Sequence, residues 1–193
     1  MPKLSGNKGE WSEIYVFLRL LEIGRLYAAD SELNKNNEVF YNILNIIRNE
    51  KLGNLVFNID KEKQQIDVFN VSSNEHLISV SVSEFKNIAD ELLADIMKAN
   101  NSAFSLEDIE EFLNKIYVSS LKAKSTDKAD IKMKIHDINS GFEAVQGFSI
   151  KSRLGGASTL INAGKTTNFT YEVMGNMNDD IAHKFNNNFK AFL

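Results

Sequence analysis

Apolar residues recur at helical spacing near the start of the chain. Between residues 10 and 22 the sequence is EWSEIYVFLRLLE, and Gly24 follows at a position where helices commonly end. Four apolar residues of this stretch project onto one side of a helix: Ile14, Phe17, Leu18 and Leu21. The pattern predicts an amphipathic helix from Glu10 to about Glu22.

The next eighty residues alternate between short apolar runs and polar turns. Runs rich in β-branched and aromatic residues predict strands at residues 26–29, 55–59, 66–71 and 77–82. Residues 39–47 (VFYNILNII) fit a helix and a strand equally well. This part of the chain is therefore expected to contribute most of a β-sheet.

Two helices and a hairpin are predicted after these strands. Ser83 is expected to cap a helix that runs to about Ala99, and Ser105 to open another with Asp108 at the capping-box position. Residues 130–137 and 145–152 then read as the strands of a hairpin, and a further strand is predicted near residues 168–173. The simplest assembly is an α/β fold with a mixed or largely antiparallel β-sheet flanked by helices.

Composition excludes several classes of protein. The 193 residues contain no cysteine, which rules out disulfides and zinc-thiolate sites and favours a cytoplasmic location. The three histidines lack the spacing of a metal site. The longest apolar run near the N-terminus, residues 14–18, is interrupted by Arg19, so no membrane partner is expected.

Charge is distributed unevenly along the chain. The net charge is −4, yet the segment 115–153 carries eight basic and four acidic residues and is therefore at +4. A basic stretch on an acidic protein suits a nucleic-acid surface, although a solvated lysine-rich surface explains the count equally well.

A glycine-rich basic stretch, GFSIKSRLGGASTLINAGKTTNF at 147–169, is suited to holding phosphate. The triplet Gly164-Lys165-Thr166 resembles the end of a nucleotide-binding P-loop, but that motif requires glycine where this chain has Thr159. The following residues read as a strand rather than the helix that a P-loop needs. These departures favour the phosphates of a polynucleotide over those of a free nucleotide.

The predicted hairpin brings an acid and a lysine together. If the chain turns at Ser140-Gly141, Asp130 lies directly opposite Lys151 on the polar face of the hairpin, with Cβ atoms roughly 5 Å apart. An ordinary ion pair is the simpler interpretation of these two residues alone.

The first helix adds further carboxylates. Glu10 projects onto the middle of its apolar face and Glu13 nearer the edge. Glu10 either reaches solvent and interacts with the helix dipole, or points toward Asp130 and Lys151. The second arrangement groups two carboxylates and an ammonium, which suits metal-dependent hydrolysis of phosphodiesters.

These residues resemble a known nuclease core. Asp130, the following hairpin and the triplet Ser149-Ile150-Lys151 are similar to the PD-(D/E)XK motif, with Ala129 where proline is usual and Ser149 where the second acid is usual. Four segments, GNKGEWSEIYVFLRLL (6–21), LYAAD (26–30), ADIKMKIHD (129–137) and the glycine-rich stretch 147–169, resemble the HpaII group of type II restriction endonucleases.

The resemblance implies Mg²⁺-dependent cleavage of double-stranded DNA at a short palindromic site, with CCGG the target of the group's namesake. It implies that Asp130 and Glu10 bind the metal, that Lys151 is catalytic, and that Ser149 occupies the position of the missing acid, with Glu13 the alternative to Glu10. A set of residues is expected to contact DNA: Arg153, Thr159, Asn162, Lys165, Thr167 and Asn168. A homodimer and a cognate DNA methyltransferase are the implied partners.

Two departures keep alternatives open. The chain is shorter than the group's members and is expected to be a single nuclease domain over 1–193, either as a short homologue or as a form truncated at its C-terminus. The missing acid at Ser149 leaves two other functions, a repair or structure-specific nuclease of the same superfamily and a non-catalytic DNA-binding remnant.

Overall fold

The computed structural model describes residues 3–122 and 129–154, together with Asp180 and His183. The chain divides into two compact units, Met1–Ser158 and Thr159–Leu193. The expected strand near 168–173 lies outside the described residues.

Three helices and seven strands make up the described part of the first unit. The helices are α1 (Lys8–Ile23), α2 (Val82–Lys98) and α3 (Glu107–Lys115). The strands are β1 (Arg25–Ala29), β2 (Lys35–Glu50), β3 (Gly53–Asp60), β4 (Gln65–Asn70), β5 (Glu75–Ser81), β6 (Ile131–His136) and β7 (Glu143–Phe148).

The strands form one sheet in the order β5-β4-β3-β2-β6-β7, with β1 also paired to β2. All of the described pairings are antiparallel. The predicted α/β fold, a β-sheet flanked by helices, is confirmed, with the described sheet antiparallel throughout.

Helix α1 ends as its sequence predicts. Gly24 adopts the left-handed conformation at φ 63°, and its N–H donates to Leu20 O. The four predicted apolar residues of α1 are fully buried, and Phe17 packs edge-on against Phe57 of β3 with ring centroids 5.0 Å apart. Helix α1 therefore lies directly on the sheet.

The structure decides one ambiguous segment and corrects two predicted helix caps. The ambiguous segment 39–47 is entirely strand, because it pairs with β1, β3 and β6. Ser81 rather than Ser83 caps α2, by accepting a hydrogen bond from Glu84 N–H. Helix α3 begins after Leu106 without a side-chain cap, so the predicted capping box at Ser105 is wrong.

Candidate active site

Asp130 joins the two strands of the β6–β7 hairpin at its open end. Its N–H donates to Phe148 O at 3.0 Å, and its Oδ2 accepts a hydrogen bond from Ile150 N–H at 2.7 Å. Ile131 pairs with Phe148, so continuing the register by one residue brings Asp130 opposite Ser149. The predicted pairing of Asp130 with Lys151 is therefore wrong by two residues.

The turn of the hairpin explains this register. Asp137 pairs with Phe142 through its N–H, and its carboxylate accepts hydrogen bonds from Asn139 N–H and the Ser140 hydroxyl. Gly141 completes the turn in the left-handed conformation at φ 68°. The turn is thus centred one residue earlier than predicted, which moves every cross-strand partner by two.

Lys151 lies beyond the end of β7. The strand ends at Phe148 rather than continuing to Ser152, and Ser149 and Lys151 are both exposed. Within the described residues Lys151 forms no ion pair.

A pair of serines connects the Lys151 segment to α1. The Ser12 hydroxyl, 2% exposed, lies 2.9 Å from the Ser152 hydroxyl. Helix α1 and the segment after β7 are therefore in direct contact, although 140 residues separate the two serines.

Glu10 closes a capping box at the start of α1. Its Oε2 accepts a hydrogen bond from the N–H of Asn7, whose side chain accepts from Glu10 N–H in return. Its Oε1 lies 2.8 Å from Lys122 Nζ. The Lys122 ammonium and the Asn7 N–H lower the pKa of the Glu10 carboxyl. Both oxygens thus have partners, and neither of these partners is Asp130 or Lys151.

Glu13, one helical turn further on, is the glutamate of α1 that interacts electrostatically with Asp130. Burial, followed by the nearby Asp130 carboxylate, raises the pKa of Glu13 to about 7, while Arg48 and Lys122 oppose the shift. Two carboxylates from distant parts of the sequence therefore influence each other electrostatically.

Arg48 of β2 is a further charged residue that acts on Glu13, and it was not predicted from the sequence. Its guanidinium donates to Glu50 Oε1 at 2.7 Å and to Ser120 O at 2.7 Å, and lies over the Phe17 ring. Glu50 in turn accepts two hydrogen bonds from Ser119. Positions 46, 48 and 50 alternate along β2 and face inward, so the sequence could have placed Arg48 and Glu50 toward the core. Charged residues are seldom buried, however, and this argued against that placement.

The residues offer a limited set of metal ligands. No group of three or more histidine, cysteine, aspartate or glutamate side chains that could hold a metal ion occurs in the part of the chain that the structure describes. The Glu13 and Asp130 carboxylates remain, and a Mg²⁺ site needs only one or two carboxylates when substrate phosphate supplies further oxygens. Both side chains offer oxygen donors of the kind that Mg²⁺ prefers.

Among the residues expected to contact DNA, Arg153 is exposed two positions after Lys151. The others, Thr159, Asn162, Lys165, Thr167 and Asn168, lie outside the described residues. None of the helices in the described ranges is long and apolar enough to cross a membrane.

Comparison with known proteins gives two matches. The family model for the HpaII restriction endonuclease matches residues 7–190. The "Type II restriction enzyme HpaII" of Haemophilus parainfluenzae is 42% identical over 170 residues, which cover 88% of this chain and 46% of that protein. The chain thus spans about half the length of this curated relative. No solved structure matches.

Proposed function

The chain belongs to the HpaII restriction endonuclease family, and on this basis we propose that it is a type II restriction endonuclease. Its substrate is double-stranded DNA, and its reaction is hydrolysis of phosphodiester bonds at a short palindromic site resembling CCGG. The observation that carries the proposal is the family match, because residues 7–190 include every carboxylate and lysine of the candidate site.

Asp130 is the central metal ligand in this proposal. Its Oδ2 is held by the Ile150 N–H at 2.7 Å, which fixes the carboxylate at the open end of the hairpin. Glu13 is the second ligand, since burial and the neighbouring Asp130 charge raise its pKa, and a divalent cation would favour its ionised form against both effects. Glu10 is the alternative, but its present partners Asn7 and Lys122 would have to be displaced.

Mg²⁺ is the proposed cofactor because hard oxygen ligands prefer it. When bound, it would supply a bound water of lowered pKa and neutralise charge on the phosphate. The exposed Lys151 ammonium is proposed to stabilise the negative charge that develops on the reacting phosphate. Ser149, opposite Asp130, occupies the position of the missing acid and contributes a neutral hydroxyl.

Substrate binding is proposed to involve the basic residues that follow β7. Arg153 would contact phosphate or a base edge, together with residues of the glycine-rich stretch. A palindromic site is read most simply by a homodimer, because a two-fold axis presents the same surface to both half-sites. A methyltransferase that protects the host's own sites is the expected functional partner, and the cytoplasm is the expected location.

Digestion of a sequenced plasmid tests the proposal. With Mg²⁺ the wild-type chain is expected to give discrete fragments, whose ends reveal the recognition site, and no cleavage without it. Asp130→Ala and Lys151→Ala are each expected to reduce the rate at least about 100-fold, because both residues act on the transition state. DNA affinity, measured by fluorescence anisotropy, is expected to change little.

Lys86→Ala is the matched control, since Lys86 is exposed on α2. Normal cleavage by either site variant contradicts the assigned residues. A metal-dependent smear would identify a nuclease that cuts without sequence preference, and intact plasmid combined with DNA binding would identify a non-catalytic protein.

A further inference from the structure

Each chain neighbour of Lys151 forms a hydrogen bond to another part of the fold. The preceding residue, Ile150, donates its N–H to Asp130 Oδ2 at 2.7 Å. The following residue, Ser152, lies with its hydroxyl 2.9 Å from the hydroxyl of Ser12 on α1. The lysine backbone is therefore fixed to the acid on one side and to the glutamate-bearing helix on the other.

The hydroxyl hydrogen bonds have a defined direction. Ser12 Oγ donates its hydrogen to Lys8 O at 2.7 Å, so it can only accept from Ser152. Ser152 Oγ in turn accepts from Leu154 N–H at 3.1 Å. A continuous chain thus runs from the Leu154 amide through both hydroxyls to the Lys8 carbonyl in α1.

We propose that Ser12 and Ser152 are positioning residues, which hold Lys151 at its working distance from the carboxylates of α1 and Asp130. This inference rests on the proposed function. It follows from the position of Lys151, which lies past the last ladder residue of β7 and is exposed, so the sheet alone does not fix it.

The two serines are expected to matter more for the position of Lys151 than for the stability of the fold. A single hydrogen bond contributes only a small part of the stability of a fold, whereas a displacement of about 1 Å at a reacting group costs up to roughly 100-fold in rate. Removing one hydroxyl is therefore expected to leave the fold intact and to slow the chemical step.

Single-turnover cleavage, with the protein in saturating excess over DNA and Mg²⁺ present, tests this role. Ser12→Ala and Ser152→Ala are each expected to lower the rate at least about tenfold, with DNA affinity within twofold of wild type. Because both variants break the same contact, the double variant is expected to be no slower than the slower single one. Ser152→Thr retains a hydroxyl and is expected to restore most of the rate.

Ser83→Ala is the matched control. Ser83 forms a comparable hydroxyl contact with Ser81, at 3.0 Å, where β5 passes into α2. Its loss is expected to leave the rate unchanged. Unchanged rates in folded Ser12→Ala and Ser152→Ala, or fully additive losses in the double variant, would overturn the proposal.

A readout independent of cleavage separates this inference from the proposed function. Backbone ¹⁵N relaxation of Lys151 is expected to report lower order in Ser12→Ala than in wild type, while Ser83→Ala leaves it unchanged. A wild-type chain that cuts no DNA would refute the endonuclease assignment only. Unaltered order at Lys151 in Ser12→Ala would refute the positioning role, whether or not the chain cleaves DNA.

Discussion

Two glutamates on one helix have different environments. The sequence Asn7-Lys8-Gly9-Glu10 has the spacing of a capping box, and Glu10 is used that way. The effect of the Asp130 charge on Glu13 could not be predicted from the sequence, because it depends on how the hairpin packs relative to α1. Helical projection placed Glu10 at the middle of the apolar face and Glu13 nearer its edge, and so favoured Glu10, because it could not show which other elements lie beside each carboxylate.

Glu13→Gln is expected to stabilise the metal-free protein above neutral pH. The folded-state pKa of Glu13, about 7, lies above its ordinary value of 4.5, so the folded state binds more protons between these pH values. Stability from this group is present below about pH 4.5 and is lost as the pH rises through 7. Because the side chain is only partly buried, the gain at pH 8 is roughly 1 kcal/mol.

Urea unfolding at pH 5 and pH 8 in the presence of a chelator measures this effect. Glu91→Gln, an exposed site on α2, is the control. Added Mg²⁺ is expected to stabilise wild type more than Glu13→Gln. A stability difference that is the same at both pH values would contradict the raised pKa.

Local patterns specified most elements but not their partners. The end of α1 was predicted from Gly24, a short-range signal, whereas the helix begins at Lys8, two residues before the predicted Glu10, because Asn7 and Glu10 form a capping box. Strand β2 was ambiguous because the spacing of its apolar residues fits both a helix and a strand. Only its pairing with three neighbouring strands decides for a strand. The hairpin register depended on which residue closes the turn, and Asp137 rather than the Ser140-Gly141 pair determined it.

The Arg48–Glu50 pair joins β2 to the segment that follows α3. Glu50→Ala is expected to destabilise the protein by about 3–5 kcal/mol, because it leaves the Arg48 guanidinium buried without its carboxylate. Chemical denaturation measures the loss, and Glu38→Ala, exposed on the same strand, is the control. Replacing both residues by apolar side chains is expected to recover much of the lost stability. A small effect of Glu50→Ala would instead show that water reaches the Arg48 guanidinium.

Ion pairing changes how the charge of the whole molecule is understood. The segment 115–153 is basic by composition, yet within its described part carboxylates are contacted by lysines: Lys115 with Glu84, Lys122 with Glu10, and Lys134 with Glu143. Lys151 and Arg153 form no ion pair within the described ranges. The net charge of the segment thus overstates the number of lysines that lack a carboxylate partner, which a count along the sequence could not show.

A fragment of residues 1–158 is expected to fold by itself. The first compact unit ends at Ser158, and its large apolar cluster extends from α1 to the β6–β7 hairpin. Calorimetry of the fragment is expected to give a single cooperative unfolding transition, with the full chain as the comparison. The absence of a cooperative transition would mean that the core depends on residues after 158.

The proposed metal ligand Asp130 lies at the end of the β6–β7 hairpin that is opposite its turn. Asp130 and Ile150 meet at the open end, whereas Gly141 lies at the other end, about 20 Å away at the usual rise of a strand. A Cβ at Gly141 would have no atom within 4 Å. The left-handed φ of Gly141 disfavours a side chain there, so the exposed Asn139 of the same turn is the natural attachment point for a dye or a surface linker, about as far from the acid and the lysine.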